Sequence, residues 1–299
     1  MKRLSILFFL FFCSFSFAAR QQPDWQMVEK VFGRKGTVQG DVFKIVFPRS
    51  DLRVKIDEVS IEPGLALTSW IALKQMGSQT MMMGDLVLLT SETAPVMAKL
   101  VSSGLEVTGL HNHILGESPN IMYMHYSGQG DPVKLAEAMK TVLSLTGTPM
   151  ISPPPSSSPE TQIYWSKIES ILSRTGQRKG NLLQLSVPRA ETITENGMNV
   201  PPSMGMATAI NFQMVGENAA TTGDFVLLAS EVNPVVKALT EHGIAVTAIH
   251  NHMLLESPRL FFLHFWGFDN AEKLARGLKA GLDKTNSARK GVDNEVGYP

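Results

Sequence analysis

The chain has 299 residues, of which 43% are hydrophobic, and its 27 lysines and arginines balance its 27 aspartates and glutamates. Because the formal net charge is zero, no overall field favours nucleic acid or an anionic membrane surface, and we expect no nucleic-acid partner. A length near 300 residues permits one large hydrophobic core or two of ordinary size.

Residues 1–19 are typical of a secretory signal peptide. A basic start at 1–3 precedes an uncharged, mostly apolar run over 4–17 and two small residues at 18–19. The run is shorter than the roughly 20 residues that span a bilayer. We therefore predict an exported protein, periplasmic or secreted, with no stable membrane span after signal removal. The only cysteine, Cys13, lies in this segment, so the mature chain offers no thiolate ligand for a metal.

The remaining chain repeats itself. Each copy opens with an amphipathic helical pattern, around Trp25 and again around Trp165, and continues into a strand-like run that ends in Pro-Arg at 48–49 and 188–189. A proline- and serine-rich stretch that cannot pack a core separates the copies. We predict an N-terminal repeat over 20–147, a linker over 148–160 and a C-terminal repeat over 161–299.

The second half of each repeat has a clear element order. A strand beginning with Gly-Asp (84–85 and 223–224) leads into a helix with Ser91 or Ser230 as its N-cap and a terminal glycine, Gly104 or Gly243. Two further strands and a closing helix from Pro132 or Ala271 follow. This order predicts an α+β fold, a tandem duplication of an antiparallel-sheet domain ending in β-α-β-β-α.

One motif, H-x-H-x3-E-S-P-x5-H, occurs once in each repeat and contains six of the seven histidines. The motif residues of interest are His111, His113, Glu117 and His125 in the first copy and His250, His252, Glu256 and His264 in the second. Alternate residues of a strand share a face, and a hairpin with its turn centred near Ser118 or Pro119 sets the last histidine opposite the first or the second. The spacing therefore predicts three converging imidazoles and one carboxylate in each repeat.

Such a set suits a divalent transition metal such as zinc, iron or manganese. Glu117 and Glu256 are candidate fourth ligands or catalytic bases, and a base beside a metal is the arrangement of a metal-dependent hydrolase. Two alternatives remain open from the sequence. The motif is also compatible with a structural network of histidine, glutamate and backbone, and with metal-free acid/base chemistry by a histidine and glutamate pair.

Other residues carry weaker patterns. Asp85 and Asp224 suit the cap of a turn or the orientation of a histidine, and the sequence favours the cap. Residues Met81–Met83 suggest copper binding, but their counterparts at 220–222 are Ala-Thr-Thr, which favours core packing.

The Gly84-Asp85 strand, Gly104, the run 107–113, Glu117-Ser118-Pro119 and His125 together resemble the LppY/LpqO family of exported bacterial proteins, catalogued as a domain of unknown function. Both halves carry the pattern, over most of 24–284. The resemblance implies an exported protein with no catalytic residues to transfer. The motif is also similar to the first cupin motif, but its glycines are misplaced and helices interrupt the strands, so we keep that similarity as an analogy for the metal site alone.

Two functions of different classes follow. The first is an exported two-lobed protein with a metal site in each repeat. The alternative is a non-catalytic protein that binds a small-molecule or cell-envelope ligand in the cleft between the repeats. Sequence differences between the copies, Gly116 against Leu255 and Ser127 against Trp266, suggest different access to the two sites.

Overall fold

The structure is a computed structural model that describes residues 25–151 and 162–288. The predicted signal peptide and most of the predicted linker lie outside the described residues. Within the described ranges, no helix combines the length and the apolar character that crossing a membrane requires.

Both repeats run through the same elements. The first comprises α1 (Trp25–Phe32), β1 (Thr37–Gln39), β2 (Val42–Pro48), β3 (Lys55–Ile56), β4 (Val59–Ser60), α2 (Pro63–Ala66), β5 (Thr68–Met76), β6 (Gln79–Leu89), α3 (Thr90–Ser102), β7 (Glu106–His111), β8 (Ile121–Gly130) and α4 (Pro132–Leu143). The second comprises α5 (Gln162–Leu172), β9 (Gln177–Lys179), β10 (Leu182–Pro188), β11 (Thr194–Glu195), β12 (Met198–Asn199), a 3-10 turn (Pro202–Met204), β13 (Ala207–Val215), β14 (Asn218–Leu228), α6 (Ala229–Glu241), β15 (Ala245–His250), β16 (Glu256–Ser257), β17 (Leu260–Asp269) and α7 (Ala271–Leu282).

Each repeat builds a six-stranded antiparallel sheet. The strand order is β1-β2-β5-β6-β8-β7 in the first and β9-β10-β13-β14-β17-β15 in the second, so equivalent strands occupy equivalent places. Each sheet ends in the predicted β-α-β-β-α order, with the short β16 as an addition in the second repeat. The α+β tandem duplication is therefore confirmed.

The two faces of each sheet pack against different partners. On β2, Phe43, Ile45 and Phe47 join a core with residues of α1, α3 and α4, and the second sheet packs in the same way against its own helices. The other face of the first sheet packs against the second repeat, for example Val42 and Ala72 with Phe262. The result is four layers in the order helices, sheet, sheet, helices, with the central strands of both sheets buried.

The methionine run at 81–83 shows this division. Met82 packs on the helix side, whereas Met81 and Met83 pack between the repeats, which confirms the core role expected for all three.

Two details of the predicted elements were wrong. Strands β6 and β14 begin at Gln79 and Asn218, five residues before the Gly-Asp pairs, which therefore lie inside the strands. Helix α3 has Leu89 at its N-cap instead of Ser91, and α6 has Leu228 instead of Ser230. In both helices the third residue, a glutamate, accepts the N-cap N–H through its carboxylate, so the serine is not needed. The closing helices begin at Pro132 and Ala271, as predicted.

The glycine of each Gly-Asp pair allows close approach of the neighbouring strand. A Cβ atom on Gly223 would lie 2.0 Å from the carbonyl oxygen of Ala209, and one on Gly84 would lie 2.4 Å from that of Trp70. We expect Gly223→Ala to lower the free energy of unfolding by about 1–3 kcal/mol, because the obstructing atoms belong to the backbone. Gly267→Ala is the control and should cost less, since the three atoms nearest to its Cβ would all belong to side chains. Equal urea midpoints for the two variants would contradict this account.

Candidate metal centre

The candidate site lies on the inner face of both sheets, where one row of residues crosses adjacent strands. In the first repeat Asp85 pairs with His125, which pairs with Gly109 on the edge strand. The second repeat repeats the row with Asp224, His264 and Ala248. Because paired residues of an antiparallel sheet share a face, each aspartate and histidine project toward the other repeat.

The predicted hairpin register was wrong by a small shift. His111 pairs with Tyr123, and His125 pairs with Gly109 instead of His111 or His113. The turn is therefore centred on Glu117, and His113 lies in the loop after the end of β7. A shift of two residues keeps the same side chains on the same face, because the side-chain period of a strand is two.

The structure brings all six motif histidines into a single cluster between the repeats. Three pairs of rings stack across the interface, with centroid distances of 3.5 Å for His111 and His250, 3.7 Å for His113 and His264, and 3.6 Å for His125 and His252. The histidines predicted for the two repeats therefore adjoin each other, since each ring lies against a ring of the other copy. We call these six residues the histidine cluster.

Two overlapping sets within the cluster have ligand nitrogens within 4.8 Å of one another. One set is His111, His113 and His125, and the other is His111, His250, His252 and His264. Two nitrogens bound to one zinc ion lie at most about 4.2 Å apart, since each Zn–N bond is about 2.0–2.1 Å. The sets are therefore close to the spacing that a bound ion requires, and His111 belongs to both.

The ring nitrogens are oriented for binding. Nδ1 of His111 lies 3.1 Å from the carbonyl oxygen of Asn112, and Nδ1 of His264 lies 2.7 Å from that of Gly223. A carbonyl can only accept, so Nδ1 of these rings carries the proton and Nε2 presents a lone pair. Among the described residues, Nε2 of every ring in the histidine cluster is buried without a hydrogen-bond partner.

Burial also keeps the rings neutral. Desolvation lowers the pKa of His111 to about 4 and that of His250 to about 3. The pKa values of His113, His125, His252 and His264 are also lowered well below 6.5, by burial first and by the neighbouring imidazoles second. Neutral rings at neutral pH do not require a proton to be displaced before a metal binds.

Asp85 and Asp224, for which the sequence offered a turn cap or the orientation of a histidine, lie beside the cluster. Asp85 is 4.0 Å from Nε2 of both His113 and His125, and Asp224 is 3.2 Å from Nε2 of His252. Burial raises the pKa of Asp85 to about 7, and burial also raises that of Asp224 well above its usual range. The turn-cap role favoured by the sequence was wrong, because both residues lie inside strands. Their recurrence before each histidine motif was the pattern that indicated a role at the site.

The two glutamates hold the turns of the motif. Glu117 Oε1 accepts the backbone N–H of Ile121 at 3.1 Å, and Glu256 Oε1 accepts that of Leu260 at 3.0 Å. Glu256 also pairs with Arg259. In the described part of the chain, the sets of close ligand atoms contain histidines and neither glutamate. These bonds link each glutamate to the first residue of the returning strand.

The asparagine between the first two histidines of each motif joins the two motif loops. Asn112 Nδ2 donates to the carbonyl oxygen of Thr247 at 3.1 Å, and Asn251 Nδ2 donates to that of Thr108 at 3.0 Å. Thr247 also donates its hydroxyl to the carbonyl of His113. This reciprocal exchange fixes the two motifs against each other and sets the distance between their rings.

Comparison with known proteins agrees with the duplication. Residues 26–145 and residues 166–284 each match the family described as Domain of Unknown Function (DUF1259). The chain belongs to this family. The two matched DUF1259 stretches include all six residues of the histidine cluster, three in each.

Two solved structures show a remote likeness to this DUF1259 chain. The trimeric bacterial microcompartment shell protein PduB is 11% identical, with 86% of this chain and 96% of that chain covered and a TM-score of 0.22. EtuB from Clostridium kluyveri is 11% identical, with 83% and 90% covered and a TM-score of 0.20. No curated protein matches the chain.

Proposed function

We propose that this protein binds a transition-metal ion, zinc, iron or manganese, at one centre that both repeats build together. The observation that carries the proposal is the set of six buried Nε2 atoms without hydrogen-bond partners in the described chain. A buried polar atom without a partner costs free energy, on the order of 1–3 kcal/mol, so six in one place favour the binding of a ligand there. One transition-metal ion takes three or four of these atoms as ligands, which is the number of histidines in each of the two close sets.

The chemistry of the donors supports the choice of metal. Neutral imidazoles suit zinc and iron, and nearby carboxylates suit manganese as well. His111 would hold the ion together with His113 and His125, or together with His250, His252 and His264. Bound there, a transition metal supplies Lewis acidity beside Asp85 and Asp224, which can hold or accept a proton.

We further propose that the protein is exported. The predicted signal peptide over 1–19 and the resemblance to the exported LppY/LpqO proteins support this location. The mature chain would then meet its metal and its ligand outside the cytoplasm.

Metal analysis of the mature protein, purified without a histidine tag, tests the proposed function. We expect a metal-to-protein ratio of one and a higher melting temperature on adding zinc, iron(II) or manganese to the metal-free protein. An ion at 100 times its Kd stabilises the folded state by about 2.7 kcal/mol. Absence of bound metal together with no thermal shift from any of the three ions would refute the proposal.

A further inference from the structure

A cavity of about 450 Å³ lies between the two sheets and adjoins the histidine cluster. Both repeats line it, and its wall includes His113, His125, His252 and His264 together with Asp85 and Asp224. The volume is in the range of small-molecule sites, and such sites favour the interfaces between domains. A molecule in this cavity would therefore contact the cluster from one side.

The wall presents buried acceptors. Asp85 Oδ1, Asp224 Oδ1 and Asn211 Oδ1 have no hydrogen-bond partner among the described residues. Asp85 is only 6% exposed. Asn211 is held in place because its Nδ2 donates to the carbonyl oxygen of Leu65, across the repeat interface, at 3.0 Å. A ligand that fits this wall must form hydrogen bonds with several of these oxygens.

The charges of the wall argue against a charged ligand. The ammonium group of Lys44 lies 4.4 Å from the ring centroid of Trp70, and both residues line the cavity. A cationic ligand would be repelled by Lys44, and an anionic ligand would lose its hydration in the buried cavity. Hydroxyl groups are neutral and both donate and accept, so they can pair with the carboxyl oxygens and with the ammonium group alike.

We propose that this cavity binds a neutral polyhydroxylated molecule of the carbohydrate or polyol class, with its hydroxyls on Asp85, Asp224 and Asn211. The proposal rests on the proposed function only in placing the ligand beside the metal centre. It also gives a chemical class to the ligand that the sequence placed in the cleft between the repeats.

Calorimetric titration of the full mature protein with a matched set of probes tests the ligand class. Sorbitol, 1-amino-1-deoxysorbitol and gluconate share one hydroxylated chain and differ at one end, which is neutral, cationic or anionic. Hexane-1,6-diol keeps the chain length and lacks the inner hydroxyls. Glucose and maltose are two further neutral hydroxylated probes. We expect saturable binding of at least one neutral hydroxylated probe, tighter than that of either charged analogue and of the diol.

Two variants locate the binding. Asn211→Leu removes one acceptor and should weaken binding of the neutral probe about tenfold, the value of one hydrogen bond to a buried group. Gln213→Leu is the matched control, because Gln213 bonds across the same interface to Ser60 and is not part of the cavity wall. Ala209→Leu fills the cavity with a larger apolar side chain and should abolish binding even if Asn211→Leu fails to fold.

The outcomes separate this proposal from the metal proposal. Each titration is run on metal-free protein and on zinc-loaded protein, while metal content is measured independently. Probe binding without metal binding would refute the metal centre alone. The cavity proposal is overturned if every neutral probe fails to bind, if a charged analogue or the diol binds as tightly, or if Ala209→Leu binds as the wild type does.

Discussion

We expect His111→Ala to lower the affinity for zinc by more than about 100-fold. Changing a residue that only orients a metal ligand costs up to about 100-fold, so the loss of a ligand itself should cost more. His111 is the strongest choice because it belongs to both sets of close ligand nitrogens. If the repeats held independent ions, this variant would lose one ion and leave the second repeat's affinity unchanged. A shared centre instead predicts weaker binding of all the metal.

The control is His242→Ala. His242 is the seventh histidine, at the end of α6, where its Nδ1 lies 2.8 Å from the carbonyl oxygen of Ala238. Both variants are titrated against a chromophoric chelator, and their melting temperatures are compared without metal to confirm folding. Equal zinc affinities for the two variants would show that His111 is not a ligand of the metal centre. They would also contradict a centre that the two repeats share.

Arg49→Ala should lower the free energy of unfolding by about 3–5 kcal/mol, the range for breaking one partner from a buried ion pair. The Arg49 side chain has no exposed surface. It donates to Glu92 at 2.8 Å, to Asp51 at 3.0 Å and to the carbonyl oxygen of Val87 at 2.6 Å. Removing the guanidinium leaves the carboxylate of Glu92 without its ion-pair partner. The same carboxylate accepts the backbone N–H of Leu89, the N-cap of α3.

Arg53→Ala is the matched control for urea unfolding. Arg53 is part of the same segment, but among the described residues its side chain makes only solvent-exposed hydrogen bonds, to the carbonyls of Ser50 and Leu52. We therefore expect a change within about 0.5 kcal/mol. Arg189 repeats the network with Glu191 and Glu231 in the second repeat. A loss for Arg49→Ala no larger than that for Arg53→Ala would show that this network does not stabilise the fold.

Several features were predictable because they depend on local patterns. The duplication follows from two copies of one motif in one order, and the β-α-β-β-α ending follows from apolar runs, terminal glycines and the prolines that open helices. The strand starts were less predictable, since Met81 to Met83 are apolar on both faces and show no alternation to mark a boundary. The N-caps at Leu89 and Leu228 escaped prediction because the capping group is a glutamate three residues later.

The amino-acid sequence alone determined that each repeat is an α+β sheet and that the histidines on one face would project together, because a strand has a period of two. Only the tertiary structure decided that the two faces meet. That packing depends on apolar residues of separate strands, such as Val42 and Phe262, whose complementarity has no local pattern. The pairing of His111 with His250, the place of Asp85 beside the rings and the turn-holding role of Glu117 all follow from it.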